Sequence, residues 1–391
     1  MALDPAAWLD RPGVPALLAA LDAGAGSSRF VGGAVRDLAL GLPVADLDLA
    51  TRLRPGAVVA RLGAAGIKAI PTGIAHGTIT AVTKGTLVEV TTLRSDVTTD
   101  GRRATVAFTD DWAADAARRD FTINALYADP LSGEMFDPTG EGKADLASRS
   151  VRFIGEPLAR IAEDHLRILR FFRFHARFGE GAPDAAALDA CTARANDLMA
   201  LSRERIADEF SKLLALPDPL PTLRLMIERG ILRPVLPEID GTDRLAALLT
   251  AEQAAALPAD RWRRLAALLP QGPSVAEKIA ARLKLSLKLR KRLALAADPA
   301  DLGTAEAHAY RLGTTSAEDR LLLAGRPSDA ARIADWPIPR LPISGGALIA
   351  KGVTQGPEVA RRLRLIEQAW VDADFPTGPA LDRITQAALD L

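Results

Sequence analysis

The stretch RFVGGAVRDLALGLPVADLDLAT (residues 29–51) decides how the first third of this chain is read. It opens on a short apolar run, turns at Gly32 and Gly33, and closes on two aspartates separated by one leucine. In an extended segment alternate side chains share a face, so Asp46 and Asp48 project together while Leu47 and Leu49 take the other side. Two carboxylates on one face repel each other unless solvent or a cation separates them. The glycines lack a Cβ, which lets the backbone turn tightly and present N–H groups to an anion. Arg36 follows the turn and carries a guanidinium that forks onto phosphate-like oxygens.

A carboxylate pair of this kind suits Mg²⁺, which keeps several waters and takes one or two carboxylates plus phosphate oxygens. An isolated D-x-D is more often a polar edge strand, and G-G alone is neither of the established phosphate-loop motifs. Within one short segment, however, the glycines, Arg36 and the two acids form a coherent unit for a nucleoside triphosphate. Metal-assisted phosphoryl transfer often uses a third acid. Glu89, in the alternating run LVEVTTL (87–93), and Asp120 are the two candidates for it, and the sequence does not choose between them.

Working outward, the runs RFV, DLDLAT, IKAI, TITAV and LVEVTTL are β-like and separated by Gly and Pro. A helix is expected over 111–128, followed by the turn-rich DPLSGEMFDPTGEG. From about residue 145 the texture becomes Ala, Leu and Arg at helical spacing. The expected fold class is α+β, a head with a mixed sheet followed by an all-helical remainder. Pro-rich breaks at 217–221 (PDPLP) and 337–342 (PIPRLP) mark joints in that remainder.

Two further clusters carry chemistry. In RRDFTINA (118–125), Arg119 can reach a triphosphate or ribose, and Asp120 can orient an arginine; Phe121, Ile123 and Leu126 read as core. In RIAEDHLRILRFFRFHARFG (160–179), a continuous helix would bring Asp164 and Arg167 together, with Phe171, Phe174 and Phe178 continuing the stripe. A salt bridge above a hydrophobic seam is the plain explanation. The alternative use is specific. A carboxylate accepting from an exocyclic amino group, beside an arginine donating to a ring nitrogen, reads cytosine and adenine alike. Guanine and uracil present the reverse pattern and would leave buried polar groups unpaired.

Composition bounds the rest. With 391 residues, 48% hydrophobic and 25% charged, the chain is an ordinary globular protein of more than one domain. The 49 basic and 49 acidic side chains exclude a uniformly basic coat but not local basic patches. One such patch is KIAARLKLSLKLRKR (278–292), which has seven Lys/Arg and no acid and reads as two helices joined near Ser286. The single cysteine, Cys191, rules out an internal disulfide framework and fits a reducing cytoplasm. The N-terminal MALDPAAWLD carries acids and a proline where a signal peptide needs basic and then apolar residues, and no apolar run is long enough for a membrane span. The four histidines lack the spacing of a zinc site.

In order and spacing, GGAVRD…DLDLAT, RRDFTINALYADP and RIAEDHLRILRFFRF resemble class II tRNA nucleotidyltransferases, the CCA-adding enzymes and their relatives the bacterial poly(A) polymerases. The resemblance extends over roughly residues 29–212. It implies a nucleotidyltransferase head (1–140), a helical neck that recognises the base (141–215), and a helical body and tail that hold RNA (216–391). Asp46 and Asp48 would bind Mg²⁺, Gly33, Arg36 and Arg119 the incoming nucleotide. Asp164 and Arg167 would read its base edge, supported by Arg170 and Arg173. The implied substrates are tRNA, CTP and ATP, with C, C and A added to the tRNA 3′ end and pyrophosphate released. Poly(A) synthesis, A addition in a split system, and a non-catalytic RNA-binding protein on the same scaffold are the alternatives. The segment 93–120 matches a flexible loop that CC-only enzymes lack, with Gly101 suited to mobility. Oligomeric state is left open by the sequence.

Overall fold

The computed structural model describes residues 2–100, 103–300, 303–354 and 356–390, with the backbone alone described at 96–100 and 103–106. Gly101, the expected loop glycine, lies outside the described residues. The chain divides into two compact units, Met1–Leu201 with Arg229–Val235, and Ser202–Glu228 with Leu236–Leu391.

The first unit is built on a seven-stranded mixed sheet. Its strands are β1 (Ser28–Val31), β2 (Leu47–Thr51), β3 (Lys68–Gly73), β4 (Thr78–Thr83), β5 (Thr86–Thr92), β8 (Tyr127–Ala128) and β9 (Met135–Phe136), in the order β3-β4-β5-β2-β1-β8-β9. Only β2 and β5 run parallel; the other pairs are antiparallel. All five runs expected as strands are strands. A separate antiparallel hairpin, β6 (Arg94–Asp100) and β7 (Arg103–Phe108), follows β5.

The period-two pattern of β2 does what the sequence suggests. Leu47 and Leu49 are buried at 1% and 0% exposure, so Asp48 must point to the opposite face. Beneath lie Phe30, Val88, Val90 and Ile79, with Trp8 tilted against Phe30 at 4.7 Å between ring centroids. The helix Gly33–Ala39 starts directly after β1. Gly32 makes that turn with φ 67° and ψ −122°, a conformation closed to residues with a Cβ.

The helix expected over 111–128 is shorter. It spans Trp112–Ala117, capped by Asp111, whose side chain accepts from the Ala113 N–H. The chain then makes a single tight turn at Thr122–Asn124 and enters β8. Tertiary pairing of Tyr127 with Val31 outweighs the helical pattern there.

The helices Pro157–Glu163 and Arg167–Phe178 follow. Phe171, Phe174 and Phe178 form the expected seam: Phe171 and Phe174 pack with Phe121 or Phe153 at 5.2–6.4 Å between centroids, and Phe178 packs with Phe174 at 5.6 Å.

The second unit is helical throughout its described residues. Breaks separate the helices Arg203–Leu214 and Leu220–Glu228, and Pro327–Ile333 and Gly345–Ala350, at the two proline-rich joints. Its centre holds a buried ion cluster. Glu252 accepts from Arg263 at 2.9 Å and from Arg264 at 3.0 Å, and Arg264 also donates to the Leu214 carbonyl at 2.8 Å. That last bond caps a helix C-terminus. Among the described residues no helix is long and apolar enough to cross a membrane.

Candidate active site

The ends of β1 and β2, the turn after the Trp112 helix, and the start of the Arg167 helix border one cleft of about 590 Å³ in the first unit. Every site residue expected from the sequence except Glu89 lines it: Gly33, Arg36, Asp46, Asp48, Arg119, Asp164, Arg167, Arg170 and Arg173. Gly32, Asp120, Asn124 and Phe174 complete the wall.

Asp46 is exposed just ahead of β2, one residue short of the strand in which the sequence pattern places it, and Asp48 is half-buried inside the strand. Burial, then the charge of Glu89, pushes the Asp48 carboxyl up to about 6, with Asp46 adding to this and Arg119 opposing it. Glu89 stands level with Asp48 in the parallel register. It is exposed and does not border the cleft. Among the described residues no group of three His, Cys, Asp or Glu is gathered to hold a metal ion. The aspartate pair is therefore a two-carboxylate donor set whose mutual repulsion a cation would relieve. Waters and phosphate oxygens would have to supply the other ligands, which is the habit of Mg²⁺.

Arg119 faces this pair with a prepared guanidinium. Its Nη2 donates to Asp115 at 3.0 Å and its Nε to the Tyr127 hydroxyl at 3.3 Å. Burial works against its charge, but Tyr127 and Asp115 outweigh burial and hold it above the ordinary arginine range. The remaining Nη1 lies by the glycine turn, 3.7 Å from where a Cβ on Gly32 would sit. Asp115 is the keystone, and the sequence reading missed it. Its carboxylate accepts from Arg118 at 2.8 Å, Arg119 at 3.0 Å, Tyr127 at 2.7 Å and the Arg94 N–H at 3.2 Å. Burial alone would raise its pKa; Arg119 and Arg118 outweigh that and hold it at about 2. The i,i+3 and i,i+4 spacing to two arginines was the available signal.

Arg36 is placed differently from a side chain waiting for phosphate. Its guanidinium is buried over the Phe178 ring at 4.0 Å, donates to Asp37 at 2.8 Å and to Asn124 at 2.5 Å. Asp120 holds Arg170 at 2.9 Å and accepts from Asn124 and the Phe121 N–H, each at 2.9 Å. Burial would raise the Asp120 carboxyl, but Arg170 and these hydrogen bonds keep it below the usual range. Asp120 thus acts as an arginine clamp. Arg173 lies against Phe174 at 4.5 Å.

Asp164 and Arg167 are not on one continuous helix. The first helix ends at Glu163, and Asp164 is extended, with φ −152° and ψ 105°. Its carboxylate accepts from the Leu166 N–H at 3.1 Å, and the next helix starts at Arg167. The carboxylate that pairs with Arg167 is Glu163, at 2.5 Å, which also takes Arg160 at 2.8 Å. Arg167 further donates to the Arg160 carbonyl at 2.8 Å and the Arg118 carbonyl at 3.3 Å. An extended residue cannot keep the i,i+3 helical geometry. In its place the break presents Asp164 and Arg167 separately along the wall of the same cleft.

Comparison with known proteins agrees with this geometry. Residues 28–152 match the family described as "Poly A polymerase head domain", and residues 183–242 match "Probable RNA and SrmB- binding site of polymerase A". The chain is 34% identical over 362 residues to CCA tRNA nucleotidyltransferase 1, mitochondrial, of Danio rerio, covering 88% of this chain and 83% of that protein. It is 32% identical over 381 residues to the CCA-adding enzyme of Lacticaseibacillus paracasei, covering 92% of each. Its fold matches the crystal structure of the Bacillus stearothermophilus CCA-adding enzyme in complex with CTP with a TM-score of 0.76 and 28% identity, over 97% of this chain and 98% of that one. Identity across both the cleft-bearing unit and the helical unit, joined to a cleft that pairs carboxylates with arginines, means that this chain belongs to the family of CCA tRNA nucleotidyltransferases.

Proposed function

We propose that this protein adds C, C and A to the 3′ end of tRNA from CTP and ATP, releasing pyrophosphate, in a reducing cytoplasmic compartment. The observation that carries the reading is the single cleft that Asp46 and Asp48 share with Arg119, Asp164 and Arg167. Chemistry and base choice are thereby served by one pocket. The chain spans most of relatives named for this reaction, which supports it.

Asp46 and Asp48 would hold Mg²⁺, which supplies charge neutralisation for the triphosphate and activation of the attacking 3′-hydroxyl. The chain's own part is positioning. Arg119, locked by Asp115 and Tyr127, directs Nη1 toward the glycine turn, where the triphosphate would lie against Gly33. Fixed donors of this kind stabilise developing charge without reorganising during the reaction. Arg36 would act by bracing Asn124 and the Gly33 helix as well as by its charge. Glu89 would tune Asp48 across the strand pair. Asp164 would accept from the amino group of cytosine or adenine and Arg167 would donate to the ring nitrogen, with Arg170 and Arg173 flanking them. In this scheme residues 1–140 form the catalytic head, 141–215 the base-reading neck, and 216–391 the body and tail that hold RNA.

The test is an extension assay with Mg²⁺ and each nucleoside triphosphate, singly and mixed, on tRNA lacking its last one, two or three nucleotides. Sequenced products should show two C and one A and then stop. Runs of A on several RNAs would move the assignment to poly(A) synthesis, A alone on tRNA ending in CC to a split system, and no product to RNA binding without catalysis.

A further inference from the structure

We infer that Phe174 is a positioning residue for the arginines of the cleft: its ring restrains Arg170 and Arg173 without using the N–H donors they offer to a nucleotide. The inference rests on the proposed reading of the cleft as the nucleotide site. It gives one member of the aromatic seam a task that packing alone does not.

Phe174 lies in the helix Arg167–Phe178 and is 5% exposed. Among the described residues that line the cleft it is the one aromatic side chain. Three guanidinium groups lie over its ring, with Cζ at 4.5 Å from the centroid for Arg173 and at 5.2 Å for both Arg170 and Arg36. Arg170 comes from one helical turn earlier and Arg173 from the adjacent position. Arg36 comes from a different helix, Gly33–Ala39. All three border the cleft. Phe171 supplies an internal contrast. It belongs to the same seam but meets Phe121, Phe153, Phe172 and His175. The arginine contacts of this helix fall on Phe174 and Phe178 instead.

An aromatic face carries negative potential and attracts a cation, and the attraction grows as water is excluded. The Phe174 ring is buried, and Arg170 and Arg173 are half-buried. A carboxylate restrains an arginine by consuming N–H donors, as Asp37 does for Arg36 and Asp120 for Arg170. A ring restrains it and leaves those donors to meet a phosphate or a base edge. Phe174 also packs against Phe121 at 5.2 Å and Phe178 at 5.6 Å between centroids. A leucine would still pack there but would offer no negative face. The difference between the two side chains is therefore the attraction for cations.

The experiment replaces Phe174 in the full-length protein with phenylalanines bearing one, two or three ring fluorines, alongside Phe174→Leu. Fluorine withdraws electron density from the ring face while nearly keeping its shape. Three quantities are measured: Kd for CTP with Mg²⁺ by calorimetry, KM and kcat for CTP and ATP on tRNA lacking its CCA end, and Tm. Kd and KM should rise stepwise with fluorine number to about tenfold at three, with kcat within about twofold of wild type. Tm should hold across the fluorine series. Phe174→Leu should raise Kd and KM to a similar degree. Wild-type Kd and KM throughout the fluorine series would overturn the proposal and leave Phe174 as packing, as would a rise confined to Phe174→Leu and accompanied by a fall in Tm. A wild-type protein that binds CTP but transfers none would instead overturn the functional reading, and the Kd series would still decide the role of the ring. One that binds no CTP would overturn both.

Discussion

Asp46 and Asp48 illustrate how far single residues can be read. Asp46 is exposed and Asp48 half-buried, so neither side chain supports the core. Asp46→Ala and Asp48→Ala should each lower transfer on the order of 10³-fold while leaving the thermal unfolding transition near its wild-type position. Full retained activity in either would remove that residue from the metal site. Asp115 behaves oppositely, because its carboxylate is buried and holds two arginines and a tyrosine. Its folded pKa of about 2 lies below the unfolded value, so its contribution is present in full above about pH 4 and is lost as pH falls through 2. The shift corresponds to about 2 kcal/mol. Denaturation curves of Asp115→Asn should therefore lie below wild type at pH 7 and approach it toward pH 2. A gap that stayed constant with pH would contradict the charge-based account.

At the scale of elements, the break between the helices Pro157–Glu163 and Arg167–Phe178 matters most. It frees Asp164 from helical geometry and leaves Glu163 at the end of one helix, in reach of Arg167 at the start of the next. Arg167→Ala should relax the choice between C or A and the other bases more than it weakens triphosphate binding. Glu163→Gln should do the same to a smaller degree, about tenfold or less in the ratio of kcat/KM values, by loosening Arg167 without removing it. Unchanged selectivity in Arg167→Ala would refute base reading by this pair. The Phe171, Phe174 and Phe178 seam was legible from spacing alone, because aromatic residues at helical period have few alternatives to a core. The short β8 was not legible. Two residues carry no periodicity, and Tyr127 and Ala128 become a strand because β1 and β9 pair with them on either side.

For the whole molecule, the second unit shows a buried ion cluster where sequence shows only scattered charges. Arg263, Arg264 and Glu252 are all nearly inaccessible to solvent. Glu252→Ala would leave two guanidinium groups buried with one carboxylate fewer, at a cost of about 3–5 kcal/mol. Urea denaturation followed by far-UV circular dichroism should show this as an early loss of helical signal. A change below about 1 kcal/mol would mean that water or the neighbouring carbonyls satisfy both arginines.

Local pattern by itself determined the strands around β2, the facing of Asp48, the aromatic seam, and the Ser286 junction between the helices Pro273–Arg282 and Leu287–Ala296. Each depends on spacing within a few residues, which is a property of the backbone period. The membership of the cleft was legible only through the resemblance of the three ordered motifs to a known family, because local pattern does not say which segments meet in space. What it did not decide was the partner of each charge. Arg36 is held by Asn124, Arg119 by Asp115, Arg170 by Asp120 and Arg167 by Glu163. Those choices depend on which carboxylates and amides the folded elements bring within about 3 Å, and several arginines compete for each acid until packing settles the contest. The tertiary structure thus decided which guanidinium groups brace the walls and that Arg119 Nη1 lies by the glycine turn.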